Sequence, residues 1–262
     1  MNTTSFSLQH EKVGLTLSGG GMRGMAHIGV LKALDEFGIK PSIISGTSAG
    51  ALIGAFYSLG LTPTTMQELA KERTFFSRSA FKLSKNGLFS GDFILKLLAD
   101  YFPNDNFNTL KIPLYVAVTE LTHGRIEFFS EGSLFNVLLA SSSIPLVFSP
   151  VRINDKLYVD GGVLDNLPIE PLIHQCDFII GSHVNALSFQ DEPKISLLKE
   201  LDRVLHLAIA SSVYSKAQLC DLFLDPPNMS NYSLFKKNNT DEMIEMTYDY
   251  TCEKLTTLFK DI

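Results

Sequence analysis

A serine between two glycines carries the strongest chemical signal in the sequence. The segment Gly46-Thr47-Ser48-Ala49-Gly50 has the pattern Gly-x-Ser-x-Gly, in which the serine lies on a sharp turn between a strand and a helix. Gly46 and Gly50 leave room for this turn, and the strained backbone lifts the serine hydroxyl above the sheet. The following helix directs its free N–H groups at the same point. The pattern predicts Ser48 as the nucleophile of an acyl-transfer reaction.

This pattern needs a structural context, because a chain of this length contains it by chance roughly one time in ten. A short apolar strand pattern ends at Ser45, and an apolar helical pattern begins at Ala49. The serine therefore lies where the motif requires it. The alternative is a glycine–serine turn with no catalytic role.

A second glycine-rich segment also joins a predicted strand to a predicted helix, and it consists of Gly19, Gly20, Gly21, Met22, Arg23 and Gly24. Its uncovered N–H groups suit either the oxyanion of an acyl-transfer intermediate or the pyrophosphate of a dinucleotide. A dinucleotide site requires an acidic residue at the end of the next strand. That strand ends in Ile44-Ser45-Gly46 instead. We therefore predict an oxyanion hole at Gly19, Gly20, Gly21 and Met22. Arg23 and Gly24 are expected to support the loop or to meet a phosphate head group, the alternative being a plain surface arginine.

A serine nucleophile needs a partner that takes its proton, and no histidine stands in a recognisable catalytic setting. His174 and His206 fall in helical patterns and His183 in a buried strand, where a hydrogen-bonded structural role is expected. His123 has no catalytic context. His27 lies three residues after the glycine loop, and we expect it to pack or to support that loop.

An aspartate is the better candidate for the base. Asp160 follows the strand pattern Lys156–Val159 and precedes Gly161-Gly162, so its carboxylate would emerge at a strand end beside flexible backbone. Its alternative role is that of a turn aspartate before glycines. Asp155 suits a hairpin turn and Asp165 a cap, so both are weaker candidates.

The elements around these residues alternate between strand and helix. Val13–Ser18 and Ser42–Ser45 have strand patterns, and Gly24–Phe37 and Ala49–Leu59 have helical ones. This order predicts an α/β fold in which a mostly parallel central sheet lies between two layers of helices. We expect one domain from residue 13 to 262, preceded by an N-terminal extension, residues 1–12. The remaining predicted elements are strands at 114–119, 125–130, 151–153, 157–159, 178–184 and 222–224, and helices at 91–102, 134–141, 195–219 and 240–262.

Composition narrows the functional classes. Of the 262 residues, 45% are hydrophobic and 19% are charged, which is typical of a packed globular protein. The formal net charge is -6, and the sequence contains no block of Lys and Arg, so nucleic acid is not expected as a partner. The three cysteines fit no metal spacing, and we expect no metal and no cofactor. The start shows no signal-peptide pattern, which leads us to expect a cytoplasmic location.

Two uncharged stretches, 41–67 and 132–151, are broken by Gly, Ser and Pro, so buried elements are expected rather than membrane spans.

Taken together, the motifs resemble the patatin-like phospholipase family, in its bacterial branch related to the catalytic domain of neuropathy target esterase. The matching segments are GGGMRG at 19–24 with the following MAHIGVLKAL, GTSAG at 46–50, ASSSIP at 140–145, DGGVLDNLP at 160–168 and, less specifically, the stretch 222–255. Ser143 and Thr247 depart from the family pattern, which often has alanine and glycine there.

The resemblance implies a Ser–Asp dyad without histidine, in which Ser48 attacks an ester carbonyl and Asp160 is the general base. It also implies that the glycine loop is the oxyanion hole and that the substrate is an acyl ester of a phospholipid or lysophospholipid. We expect intermittent contact with a lipid surface, and the oligomeric state is left open. An acyltransferase would use the same nucleophile, and a non-catalytic nucleotide- or ligand-binding module would leave Ser48 inert.

Overall fold

The strands form one sheet. The computed structural model describes residues 11–72, 91–186, 212–232 and 239–260, together with 207, 209 and 210. The strands within these residues are β1 (Val13–Leu17), β2 (Ile43–Thr47), β3 (Leu114–Glu120), β4 (Arg125–Phe129), β5 (Val151–Ile153), β6 (Lys156–Asp160), β7 (Phe178–Ser182) and β8 (Leu222–Leu224).

The centre of the sheet is parallel. The strand order is β5-β6-β3-β2-β1-β7-β8, with β4 beside β3. Strands β3, β2, β1, β7 and β8 run parallel to one another. Strands β4 and β6 are antiparallel to β3, and β5 is antiparallel to β6. The carboxyl ends of the parallel strands therefore share one edge of the sheet, where polar loop residues can meet.

Helices cover the sheet, so the predicted α/β class with a mostly parallel sheet is confirmed. Strand residues alternate between two apolar clusters, since Ile44 and Ile180 belong to the large core and their neighbours Ile43 and Ile179 to a smaller cluster. The described helices are α1 (Ala26–Glu36), α2 (Ala49–Leu59), α3 (Pro63–Lys71), α4 (Asp92–Tyr101), α5 (Leu134–Ser141) and α6 (Thr240–Lys260), and residues 212–217 are also helical.

Most predicted elements near the site agree with the structure, and α2 and α5 have the predicted bounds. Helix α3 was not predicted, although Thr62 caps it by accepting the Thr65 N–H and Pro63 is its first residue. The prediction that His174 is helical is wrong, because it lies in a turn. Strand β7 ends at Ser182, two residues earlier than predicted. Residues 195–206 of a predicted helix, with His206, lie outside the described residues.

Within the described parts of the chain, no helix combines the length and the apolar character needed to cross a bilayer.

Candidate active site

Two strands meet end to end at the centre of the site. Strand β2 runs along one edge of β3 until Thr47 pairs with Ala117, and β6 approaches from the opposite direction until Asp160 pairs with Val118. Strand β4 occupies the other edge of β3, so β2 and β6 share the same edge. Ser48 follows Thr47 directly. The sheet register therefore brings Ser48 and Asp160 together.

Ser48 has the backbone of a strained turn. Its φ of 53° and ψ of -122° lie outside the usual regions for a residue with a side chain, and it immediately precedes α2. The two glycines of the motif permit this turn by close approach. A Cβ at Gly46 would lie 2.7 Å from the Ala51 nitrogen, and one at Gly50 would lie 2.3 Å from the Leu17 carbonyl oxygen. The predicted sharp turn is therefore present.

The Asp160 carboxyl is buried and contacts the serine. Its residue is only 6% exposed. Burial raises the pKa of Asp160 to about 6, and hydrogen bonds from the Ser48 side chain and the Gly162 N–H oppose this rise. The Gly162 N–H lies 2.8 Å from Oδ1. Gly161 is needed for close approach, since a Cβ there would lie 2.4 Å from the Ala117 carbonyl oxygen. A buried carboxyl with a raised pKa thus lies where the strand that leads to Ser48 ends.

The glycine loop lies against Ser48. A Cβ at Gly19 would be 3.2 Å from the Ser48 Cβ. The Gly19 N–H already donates to the Asn166 carbonyl at 3.3 Å. The next three N–H groups, of Gly20, Gly21 and Met22, have no acceptor among the residues that the structure describes. They are therefore the donors in this loop that remain available for an anion.

Arg23 supports the loop from behind. Its side chain is buried, and Nε donates to the Tyr232 carbonyl at 2.7 Å while Nη1 reaches the Asn185 Oδ1 at 3.4 Å. Asn185 in turn donates from Nδ2 to the Gly19 carbonyl at 2.6 Å. A Cβ at Gly24 would lie 2.4 Å from the first side chain of α2. Of the two roles expected for Arg23 and Gly24, these contacts favour loop support.

His27 is structural. It is fully buried, with Nε2 2.9 Å from the Ser18 carbonyl and Nδ1 2.8 Å from the Ser182 hydroxyl. Burial lowers the pKa of His27 to about 4, so the ring is neutral at pH 7. His123 bonds to Glu120 and His183 to Asp225. No histidine in the described ranges bonds to the Ser48 or Asp160 side chain.

The other two candidate aspartates have other roles. Asp155 is exposed in the hairpin turn with a φ of 65°. Asp165 is buried, its Oδ1 lies 2.7 Å from the Lys216 ammonium, and it accepts the Leu167 N–H at 3.2 Å. Burial raises the pKa of Asp165 to about 6, and the lysine opposes this rise. Its contacts place it in an ion pair rather than beside the serine.

Three residues that hold the site had no predicted role. Asn166 and Asn185 both bond to the Gly19 backbone, and Ser141 accepts the Ser48 N–H at 2.8 Å. Ser141 and Asn166 lie inside the segments that carry the family resemblance, which was a usable signal. Asn185 had only the weaker signal of a polar residue just beyond a buried strand.

Comparisons with known proteins identify the family of this chain. A sequence model of the family described as patatin-like phospholipase matches residues 15–173. Lysophospholipase NTE1 of Cryptococcus neoformans is 33% identical over 171 residues, which are 62% of this chain and 10% of that protein. An uncharacterized NTE family protein of Mycobacterium tuberculosis is 34% identical over 167 residues, 62% of this chain and 45% of that protein. The chain therefore spans less than half the length of these curated relatives.

A solved structure shares the fold. The crystal structure of VipD from Legionella pneumophila superposes with a TM-score of 0.57 at 16% identity, covering 95% of this chain and 67% of that one. This likeness shows the arrangement of sheet and helices alone.

Proposed function

Since this chain belongs to the patatin-like phospholipase family, we propose that it is a serine lipid acyl hydrolase that cleaves carboxylic acyl esters of phospholipids or lysophospholipids. One observation carries the proposal: the register of β2 and β6 along one edge of β3 brings Ser48 beside the buried Asp160 carboxyl, whose pKa burial raises to about 6. A serine needs a base within hydrogen-bond reach, and an ordinary aspartate is too weakly basic. Asp160 meets both conditions.

In the proposed reaction Asp160 takes the hydroxyl proton while Ser48 Oγ bonds to the ester carbonyl carbon. The carbonyl oxygen becomes an oxyanion, which accepts hydrogen bonds from the free N–H groups of Gly20, Gly21 and Met22. The carbon–oxygen bond to the leaving alcohol then breaks, and the alkoxide receives the proton from Asp160. Water, deprotonated by Asp160, attacks the acyl-serine; the proton returns to Ser48 as the free fatty acid leaves.

Exposed apolar residues close to Asp160 in sequence support a lipid substrate. Leu146 is 78% exposed, Val163 51% and Leu164 44%. Val163 and Leu164 follow Asp160 closely in sequence, and Leu146 is three residues beyond Ser143, whose carbonyl accepts the Asp160 N–H at 3.0 Å. Exposed apolar side chains in the segments that carry Asp160 and its backbone partner favour a substrate that has acyl chains. The name of the Cryptococcus relative supports a lysolipid in particular. Intermittent lipid contact and the cytoplasmic location expected from the sequence belong to this proposal.

The direct test is labelling by a fluorophosphonate probe together with hydrolysis of p-nitrophenyl esters. We expect wild type to be labelled and active, and Ser48→Ala to be neither. Ser142→Ala is the matched control, because the Ser142 hydroxyl is buried and has no hydrogen-bond partner among the residues that the structure describes. Labelling of Ser48→Ala at the wild-type level would show that the nucleophile is another residue. Product analysis with an added alcohol acceptor separates hydrolysis from acyl transfer.

A further inference from the structure

Ser141 connects the backbone of the proposed nucleophile to the sheet. It is the last residue of α5 and is fully buried. Its Oγ accepts the Ser48 N–H at 2.8 Å and donates to the Ala117 carbonyl at 2.8 Å. One hydroxyl therefore uses both its acceptor and its donor capacity between the strained turn and β3.

The same segment also holds the proposed base. The Asp160 N–H donates to the Ser143 carbonyl at 3.0 Å, two residues beyond Ser141. Ala117, the acceptor of the Ser141 hydroxyl, is the residue of β3 at which β2 ends, and its neighbour Val118 pairs with Asp160. The last residue of α5 and the segment just after it thus contact the main chains of Ser48 and Asp160 where their strands meet.

A residue with the φ of Ser48 keeps that conformation only where its surroundings determine it. The Ser48 N–H is buried at the start of a helix, where no turn of that helix supplies an acceptor, and a buried N–H without one is costly. The Ser141 hydroxyl supplies this acceptor.

We infer that Ser141 is a positioning residue, which holds the Ser48 turn in its strained conformation and so keeps the Ser48 hydroxyl directed at Asp160. This inference rests on the proposed function. Ser141 touches neither substrate nor the reacting atoms, and its effect passes through the Ser48 main chain.

The test compares Ser141→Ala with Ser142→Ala. Within the described part of the chain the Ser141 hydroxyl has two hydrogen-bond partners and the neighbouring Ser142 hydroxyl has none. For Ser141→Ala we expect kcat for p-nitrophenyl esters to fall about 10- to 100-fold, as for a displacement of about 1 Å at a reacting centre, with KM within about twofold. Ser142→Ala is expected to keep wild-type kcat. Ser141→Thr, which retains the hydroxyl, is expected to recover most of the loss.

The pH profile separates positioning from a general loss of stability. The hydrogen bond from Ser48 lowers the pKa of Asp160. A displaced Ser48 weakens that bond, so the acidic limb of kcat/KM is expected to move to higher pH in Ser141→Ala and to stay in place in Ser142→Ala. Ser141→Cys fills nearly the same volume with a weak hydrogen-bonding group, and it provides the same measurement if the alanine variant does not fold.

The outcomes distinguish this inference from the proposed function. An active wild type with equal kcat and equal pH profiles in Ser141→Ala and Ser142→Ala would refute the positioning role alone. An unlabelled wild type would refute the proposed function. In that case a crystal structure of Ser141→Ala still decides the inference: Ser48 leaving its positive φ supports it, and an unchanged turn overturns it.

Discussion

Replacing Asp160 with asparagine is expected to abolish most activity and, unusually for a buried site, to stabilise the fold at neutral pH. The stability effect follows from the raised pKa. A carboxyl with a pKa of about 6, against an ordinary 3.8, is held in an environment that disfavours its charge. At about 1.4 kcal/mol per pH unit, this costs the folded state about 3 kcal/mol above pH 6.

Asparagine removes that charge and keeps the shape. Its Oδ1 can accept the Gly162 N–H, which lies 2.8 Å from the carboxylate oxygen, and its Nδ2 can donate to the Ser48 hydroxyl. We therefore expect a gain in the free energy of unfolding of about 1–3 kcal/mol at pH 7, or about 2–4 °C in Tm per kcal/mol. Asp160 destabilises the fold when it is charged, because its pKa is higher in the folded state than in the unfolded state. The penalty in wild type is complete above pH 6 and vanishes below pH 3.8, so the two proteins converge in stability near pH 4.

Activity is expected to change in the opposite direction. Asparagine cannot take a proton, and a positioned general base contributes about 10²- to 10⁴-fold. Within the described residues no other carboxylate or imidazole bonds to Ser48, so kcat/KM of Asp160→Asn is expected to fall through this range. In wild type the base must be deprotonated, so kcat/KM is expected to rise with pH and to reach half its plateau near pH 6.

The assays are p-nitrophenyl ester hydrolysis from pH 4 to 8 and thermal unfolding over the same range. Asp155→Asn is the matched control, since Asp155 lies on the same hairpin and is exposed, and it is expected to leave both curves unchanged. The reasoning fails if Asp160→Asn retains a tenth of wild-type activity. It also fails if the wild-type profile is flat between pH 5 and 7, or if the variant is less stable than wild type at pH 7.

Three further changes test the surroundings of the pair. Gly20→Ala would bring a Cβ to 2.5 Å from the Val184 side chain, so the loop or that side chain must shift. We expect kcat to fall about 100-fold through displacement of the loop N–H groups, with little change in Tm. Changing the six histidines one at a time is expected to leave the specific activity of the folded protein within about threefold, and loss of activity on changing one of them would favour a triad. Lys216→Met removes the ammonium group that lies 2.7 Å from the buried Asp165 carboxylate, and we expect the free energy of unfolding in urea to fall by about 3–5 kcal/mol. Adding Asp165→Asn is expected to recover most of this loss. Equal stability of the single and double variants would contradict the ion-pair argument.

Local sequence patterns were sufficient to predict the turn and the helix that carry the nucleophile. The glycines around Ser48 predicted the sharp turn, since a side chain at either position would collide with the backbone. The apolar pattern of α2 is equally local, and so is the start of α3, which Thr62 and Pro63 mark. Such signals act within a few residues of chain, so they can be recognised without the rest of the molecule.

The distances between these elements were decided by the tertiary structure. The order of apolar and polar residues in β6 does not show that this strand pairs with the same edge of β3 as β2 does. That pairing nevertheless brings Asp160 to Ser48. The pKa of Asp160 depends on burial by the whole fold. Only the folded chain brings the Asn166 carbonyl to the Gly19 N–H, which the sequence predicts as an oxyanion donor. Strand pairing and burial depend on the free energy of the entire packed chain, whereas a turn depends on the sterics of its own residues. The sequence therefore determined which groups are present, and packing determined which of them meet.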